Sequence, residues 1–388
     1  MWRGAVMIVL VAVLIPAAAG AEASYRSIPE GSTVNDVAIA GDGRYMLAGT
    51  EGGGIICLQQ DGTVAWNMSA GSPVTAVAVA DARNYVAAGT GAGDVLVLDE
   101  RSGNRYWTGS VAGPVRDLSF PGDGKFLAAG SNRVTLFDYQ GLEDWNFSTG
   151  ANTIVSSVAF AADGNYIVAG SDNGAVHFFG RQGNLMWQGL ARGAVTAVDV
   201  SRDGSVVAAG SRGRVLQVYG RAGGLPWAVQ TGAPILTLAL SADGQLVAVG
   251  KEGGDLECYR PRQGLAWQNR TGSDVLTVGI SRRGEIVAAG TAAGSVHLFT
   301  GGGAERWSFD AGAPVTAVAL SGSGDYLAAG AGEQAFIFRT AEVPAATTAT
   351  PAENATPTAT PTEAGGAGAL IGIIAVAAGA ARGLSRRR

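Results

Sequence analysis

Cysteine and histidine are nearly missing from this sequence of 388 residues, which holds two of each. Only 15% of its residues are charged, and the net charge of -5 leaves no Lys and Arg stripe in the body of the chain. A nucleic-acid partner needs such a stripe on one face, so that class is excluded. The G-x-S-x-G nucleophile elbow, the H-E-x-x-H zinc helix and the Walker A phosphate loop are all absent. Aspartate is common in the turns, yet the D-x-D-x-D spacing of a calcium loop does not occur.

The two ends have a composition of their own. Residues 1–23 read as a secretory signal: Arg3, an apolar run from Ala5 to Ile15, then small residues, with cleavage after Ala21 or Ala23. An uncleaved N-terminal anchor is the other reading, and both export the repeats. Residues 343–363 are almost entirely Ala, Thr, Pro and Glu; they cannot bury a core and read as an extended stalk. Residues 364–381 carry no charge and as a helix would span about 27 Å, just enough to cross hydrocarbon. The basic end, 382–388, would hold the C-terminus in the cytoplasm. Stalk, short apolar helix and basic end resemble the tripartite C-terminal anchoring signals of archaeal and bacterial surface proteins. The expected location is therefore the cell surface, with the chain anchored in the cytoplasmic membrane by its C-terminus.

Between the ends run two ladders. Trp66, Trp107, Trp145, Trp187, Trp227, Trp267 and Trp307 recur about every 40 residues, in step with Gly49, Gly89, Gly130, Gly170, Gly210, Gly250, Gly290 and Gly330. Each unit has apolar runs of four to six residues separated by Gly, Asp or Asn, as Val155 to Trp187 illustrates. Asp-Gly pairs such as Asp163-Gly164 mark the first hairpin, so the pattern predicts four antiparallel strands per unit. Eight units carry the first three strands, but only seven carry the Trp-bearing fourth. Ser24 to Pro29 stands where a fourth strand would precede the first unit, so it can complete the last one. The arithmetic predicts an all-β, eight-bladed propeller over residues 24–342, its ring fastened by the N-terminal strand. A linear β-solenoid is the rival, and it would not need the displaced strand.

Six tryptophans come after a glycine in G-x-x-x-W, from Gly62/Trp66 to Gly303/Trp307; before Trp267 the glycine is one residue closer, at Gly264. The pattern resembles the tryptophan-docking motif of quinoprotein-type propellers, the pyrroloquinoline quinone-like repeats, and residues 97–107 are the nearest copy. Some WD-repeat-like character accompanies it in the Asp-Gly hairpins, although no Trp-Asp dipeptide occurs. The resemblance implies that all seven indoles pack between neighbouring blades. True quinoprotein dehydrogenases are longer and pair their cofactor with calcium and often with adjacent cysteines, so no cofactor is expected here. Cys57 and Cys258 hold equivalent core positions on units one and six, too far apart to bridge. His177 and His297 are equivalent positions three units apart, which rules against a shared metal.

Candidate sites are few. Asp36 and Asp117, with Arg116 beside the latter, and Asp199 fall in the first strands, which line a propeller's channel. They read either as a site for a small polar ligand or cation, or as unselected polar residues in a water-filled channel. N-glycosylation sequons stand at Asn67, Asn146, Asn269 and Asn354. Two functions fit these features. The first is a non-enzymatic scaffold that binds a protein or glycan through its faces, like the small eight-bladed quinoprotein-like propellers of protein assembly. The second is an exported lyase, hydrolase or divergent oxidoreductase that uses the channel carboxylates.

Overall fold

The computed structural model describes residues 24–27 and 31–342. They form eight four-stranded antiparallel sheets, seven of them continuous in sequence: 34–69, 74–110, 117–147, 155–190, 195–230, 235–270, 275–310. The eighth joins three strands of 315–339 to Ser24–Ser27, which pairs with Gln334–Arg339 in the register Ser24↔Ile337 to Ser27↔Gln334. The N-terminal strand thus fastens the ring, as the strand count implies. First strands of successive blades lie side by side, and that of blade one adjoins that of blade eight. The expected signal, stalk, 364–381 helix and basic end lie outside the described residues. Among the described residues no helix is long and apolar enough to cross a membrane.

Both faces of each sheet meet a neighbour, so the second and third strands are mostly buried, as in Tyr166–Ser171, where only Tyr166 is partly open, and Ala175–Gly180. Buried apolar side chains form eight clusters, each shared by two blades. One of them closes the ring, packing Val34, Met46 and Ile56 of blade one on Ala328 and Ile337 of blade eight.

The glycine ladder exists because of this packing. A Cβ on Gly49 would lie 2.4 Å from Val74, one on Gly89 2.3 Å from Val115, and one on Gly170 2.4 Å from Val195. Every ladder glycine meets the first Val or Ile of the next blade's inner strand in this way, ending with Gly330 against Val34 at 2.6 Å. Glycine is required near the axis because blades converge there and the sheets touch.

Candidate functional site

The tryptophan ladder makes the matching contact at the outer edge. Trp66 donates its indole N–H to the Glu100 carbonyl at 2.7 Å, Trp145 to Arg181 at 2.7 Å, Trp187 to Arg221 at 2.9 Å and Trp267 to Gly301 at 2.9 Å. Trp307 reaches Thr340 at 3.3 Å. Each acceptor belongs to the next blade. The indole lies on the motif glycine of that blade: a Cβ on Gly103 would be 2.7 Å from Trp66, on Gly141 2.6 Å from Trp107, and on Gly183 2.8 Å from Trp145. These glycines also take positive φ, so two demands coincide at one position. The departure before Trp267 has a counterpart: Gly264 has nothing within 4 Å of a built Cβ, and Trp227 rests instead edge-on to Tyr259 at 6.2 Å. Trp307 is buried at 5% exposure, whereas the other six indoles are half-buried.

Near the axis, Asp36, Asp117 and Asp199 are half-buried on the innermost strands. The inner edge of such a strand leaves backbone N–H groups without a sheet partner, and each aspartate supplies acceptors for two of them. Asp36 accepts from its neighbour Val37 at 2.9 Å and from Val77 of the next blade at 2.8 Å. Asp117 does the same for Leu118 and Val158, both at 2.8 Å, and Asp199 for Val200 and Leu240, both at 2.7 Å. Ser119, Ser157 and Thr277 accept from Phe160, Val198 and Val318 with the same 41-residue offset. Burial drives the carboxyl of Asp36 up to about 7, against the bond from Val77, with a further upward push from the charge of Asp117. Asp117 and Asp199 rise to about 6 for the same first reason, and Asp199 also feels Asp117. Arg116 does not join this group. It is exposed and forms no ion pair with Asp117; it precedes the short inner strand Asp117–Ser119 and gives its backbone N–H to the Gly130 carbonyl at 2.8 Å, opposite the residue that Asp117 also faces.

The remaining sequence candidates lie apart from the channel. Asn67, Asn146 and Asn269 sit on outermost strands, with Asn67 and Asn146 exposed. Asn269 turns its amide nitrogen to the Gly303 carbonyl of the next blade at 2.8 Å, which occupies the atom a glycan would take. Asn354 falls outside the described residues. Both cysteines are buried and outside any disulfide, Cys57 Sγ lies 3.5 Å from the Glu100 carbonyl it donates to, and burial pushes the Cys57 thiol up to about 12, with the Glu100 charge adding to it. His177 is buried among Phe147 and Phe179, which lowers its pKa, while His297 meets Glu305 at 2.8 Å.

A belt of bonds links the first-hairpin turns at one end of the channel. Backbone N–H groups donate from Gly122 to Ala162, Asp163 to Arg202, Arg202 to Ala242, Ala242 to Arg282, Arg282 to Gly322 and Gly322 to Gly41, at 2.8 to 3.1 Å. Side chains complete the circuit, with the Gly41 N–H on Asp81 at 3.1 Å and Arg83 Nε on the Asp123 carbonyl at 3.2 Å. Arg282 extends over Gly322 and Gly41 to pair with Asp81, 201 positions away in the chain. Small residues at 41 and 322 make that path possible. Around this mouth lies a cavity of about 670 Å³, lined in part by Arg202, Arg282 and Arg283, which opens inward to a second of about 220 Å³.

Blade six holds a buried charge cluster that sequence reasoning missed. Lys251 Nζ bonds Glu257 at 2.6 Å and the Thr231 carbonyl at 2.7 Å, and the Tyr259 hydroxyl donates to Glu257 at 2.6 Å. Asp255 lies 3.4 Å from the same ammonium. The signal was present in the register, because Lys251 stands where six other units have Thr50, Thr90, Ser131, Ser171, Ser211 and Thr291 and the last has Ala331.

Ring closure, interlocked indoles and a turn belt around the channel mouth define an eight-bladed β-propeller of the tryptophan-docked kind. The family model described as outer membrane protein assembly factor BamB, of the pyrroloquinoline quinone-like repeat type, matches residues 13–146 and 130–296. The chain belongs to this family. No curated protein matches it in sequence. Among solved structures, Chaetomium thermophilum Sqt1 bound to the N-terminus of the ribosomal protein L10 is similar at 14% identity and a TM-score of 0.72, over 81% of this chain and 98% of that one. The computationally designed Ika8 protein is similar at 18% identity and a TM-score of 0.70, over 81% and 98%. At these identities the likeness concerns the fold alone.

Proposed function

We propose that the chain is an exported, surface-anchored propeller that acts without catalysis as a scaffold for a protein partner. The observation that carries this reading is the engagement of the channel carboxylates. Both oxygens of Asp36, Asp117 and Asp199 accept backbone N–H groups, one from the next blade in each case, and this blade-joining task accounts for a carboxyl at these positions. At the end of the channel, a ring of turns around a charged mouth stays open to solvent, a surface suited to a polypeptide. The family description names a protein-assembly factor, and a similar propeller is titled as bound to a protein N-terminus, which supports the same reading. Export and anchoring rest on the leader-like and stalk-like ends. Affinity capture of the full chain from cross-linked intact cells tests the proposal. One stoichiometric protein partner is the expected result. Turnover of a substrate that disappears in Asp36→Asn and Asp117→Asn would contradict it.

A further inference from the structure

The geometry points to the channel mouth as the docking site for a protein segment that presents carboxylates on both sides of one apolar side chain. The inference rests on the scaffold reading and names the chemistry of the partner segment. Its first ground is shape. The outer and inner cavities share Gly41, Arg202, Ala242, Arg282 and Gly322, so one ligand can occupy both. The inner cavity is walled by Ile39, Phe160, Val200, Leu240, Ile280 and Leu320, each the last residue of its blade's inner strand. At about 220 Å³ it has room for one aliphatic or aromatic side chain.

The second ground is charge. Arg202 and Arg283 are exposed at the outer cavity and form no ion pair among the described residues. The acids nearby are differently placed. Asp42 pairs with Arg44 at 3.2 Å, and Asp243 accepts the Ser241 hydroxyl at 2.6 Å and the Gln245 amide at 3.0 Å; Glu285 is the third carboxylate of the wall. With Asp81 of the inner cavity, which pairs with Arg282, three of the four lining carboxylates already have partners, while the guanidinium N–H groups of Arg202 and Arg283 have none among the described residues. A guanidinium fork matches a carboxylate through two parallel bonds, which gives direction as well as attraction. Arg282 adds a competitive element, since an incoming carboxylate would displace Asp81 from it.

Fluorescence anisotropy of the full-length chain tests this with a labelled Gly-Ser-Asp-Leu-Asp-Ser-Gly peptide. Saturable binding is expected, weakened about tenfold or more by combined Arg202→Ala and Arg283→Ala, by Asn in place of both peptide Asp residues, and by Ala in place of the peptide Leu. Neither arginine contributes a side-chain bond within the ring among the described residues, and circular dichroism of the double variant checks that the fold is kept. No binding to the unaltered chain, or equal binding to the double variant, would overturn the site. Partner capture from intact cells separates the two readings. If the double variant still captures the same partner, the mouth is the wrong place and the scaffold reading stands. If the unaltered chain captures none, the scaffold reading itself falls.

Discussion

Individual side chains here act mostly on the neighbouring blade. Trp307 is the buried indole of the ladder, so Trp307→Ala should cost about 3 to 5 kcal/mol of stability in denaturant titration. Trp187 is half-buried between Phe178 and Tyr219, and its loss should cost less, about 2 kcal/mol. The channel aspartates set a pH dependence with a definite sign. Their carboxyls titrate higher in the fold than in the unfolded chain, so the folded state binds more protons between the ordinary carboxylate range and about 7. Stability from this source should be greatest at the acid side of that window and be lost as pH rises toward about 7. Thermal unfolding of Asp36→Asn should show a flatter slope there, and a lower midpoint at acid pH, because an amide accepts at one of the two N–H groups only. A slope unchanged by the substitution would remove Asp36 as its source.

Strands and turns obey the same logic as the residues that join them. Gly141→Ala places a Cβ 2.6 Å from Trp107 at a φ of +83, whereas Gly264→Ala meets nothing within 4 Å at a φ of +105. The first should cost about 2 to 3 kcal/mol and the second about 1 kcal/mol, a difference readable in denaturant midpoints. Lys251→Ala should cost about 3 kcal/mol or more, because it strands Glu257 in the interior of blade six. Much of this level was legible in the sequence. The eight-to-seven mismatch between the ladders pointed to Ser24–Pro29 as the missing strand, and the fold has it at Ser24–Ser27. Other features were hidden because they depend on which blades face each other. The sequence places Asp36 on an inner strand, but its bond to Val77 appears only when two blades are set side by side. Adjacency in sequence groups Arg116 with Asp117, but the inner strand of blade three begins only at Asp117 and leaves Arg116 exposed.

As a whole, the ring is held at two radii and at one end: ladder glycines against β-branched residues near the axis, indoles against turn glycines at the edge, and the belt of turns at the mouth. The repeat made this architecture legible, since most junctions reuse the same glycine and tryptophan positions. The mouth was not legible, because Arg202, Arg282 and Arg283 come from blades five and seven and converge only through closure. This division gives the molecule a structural body and an end that opens to solvent. The central claim is that a protein partner docks at that end, and site-specific photo-crosslinking in intact cells tests it most directly. A photoreactive amino acid at Ser323, on the mouth, should form an adduct with a partner protein, while one at Leu190, 72% exposed on an outermost strand, should not. An adduct at Leu190 with none at Ser323 would contradict the account.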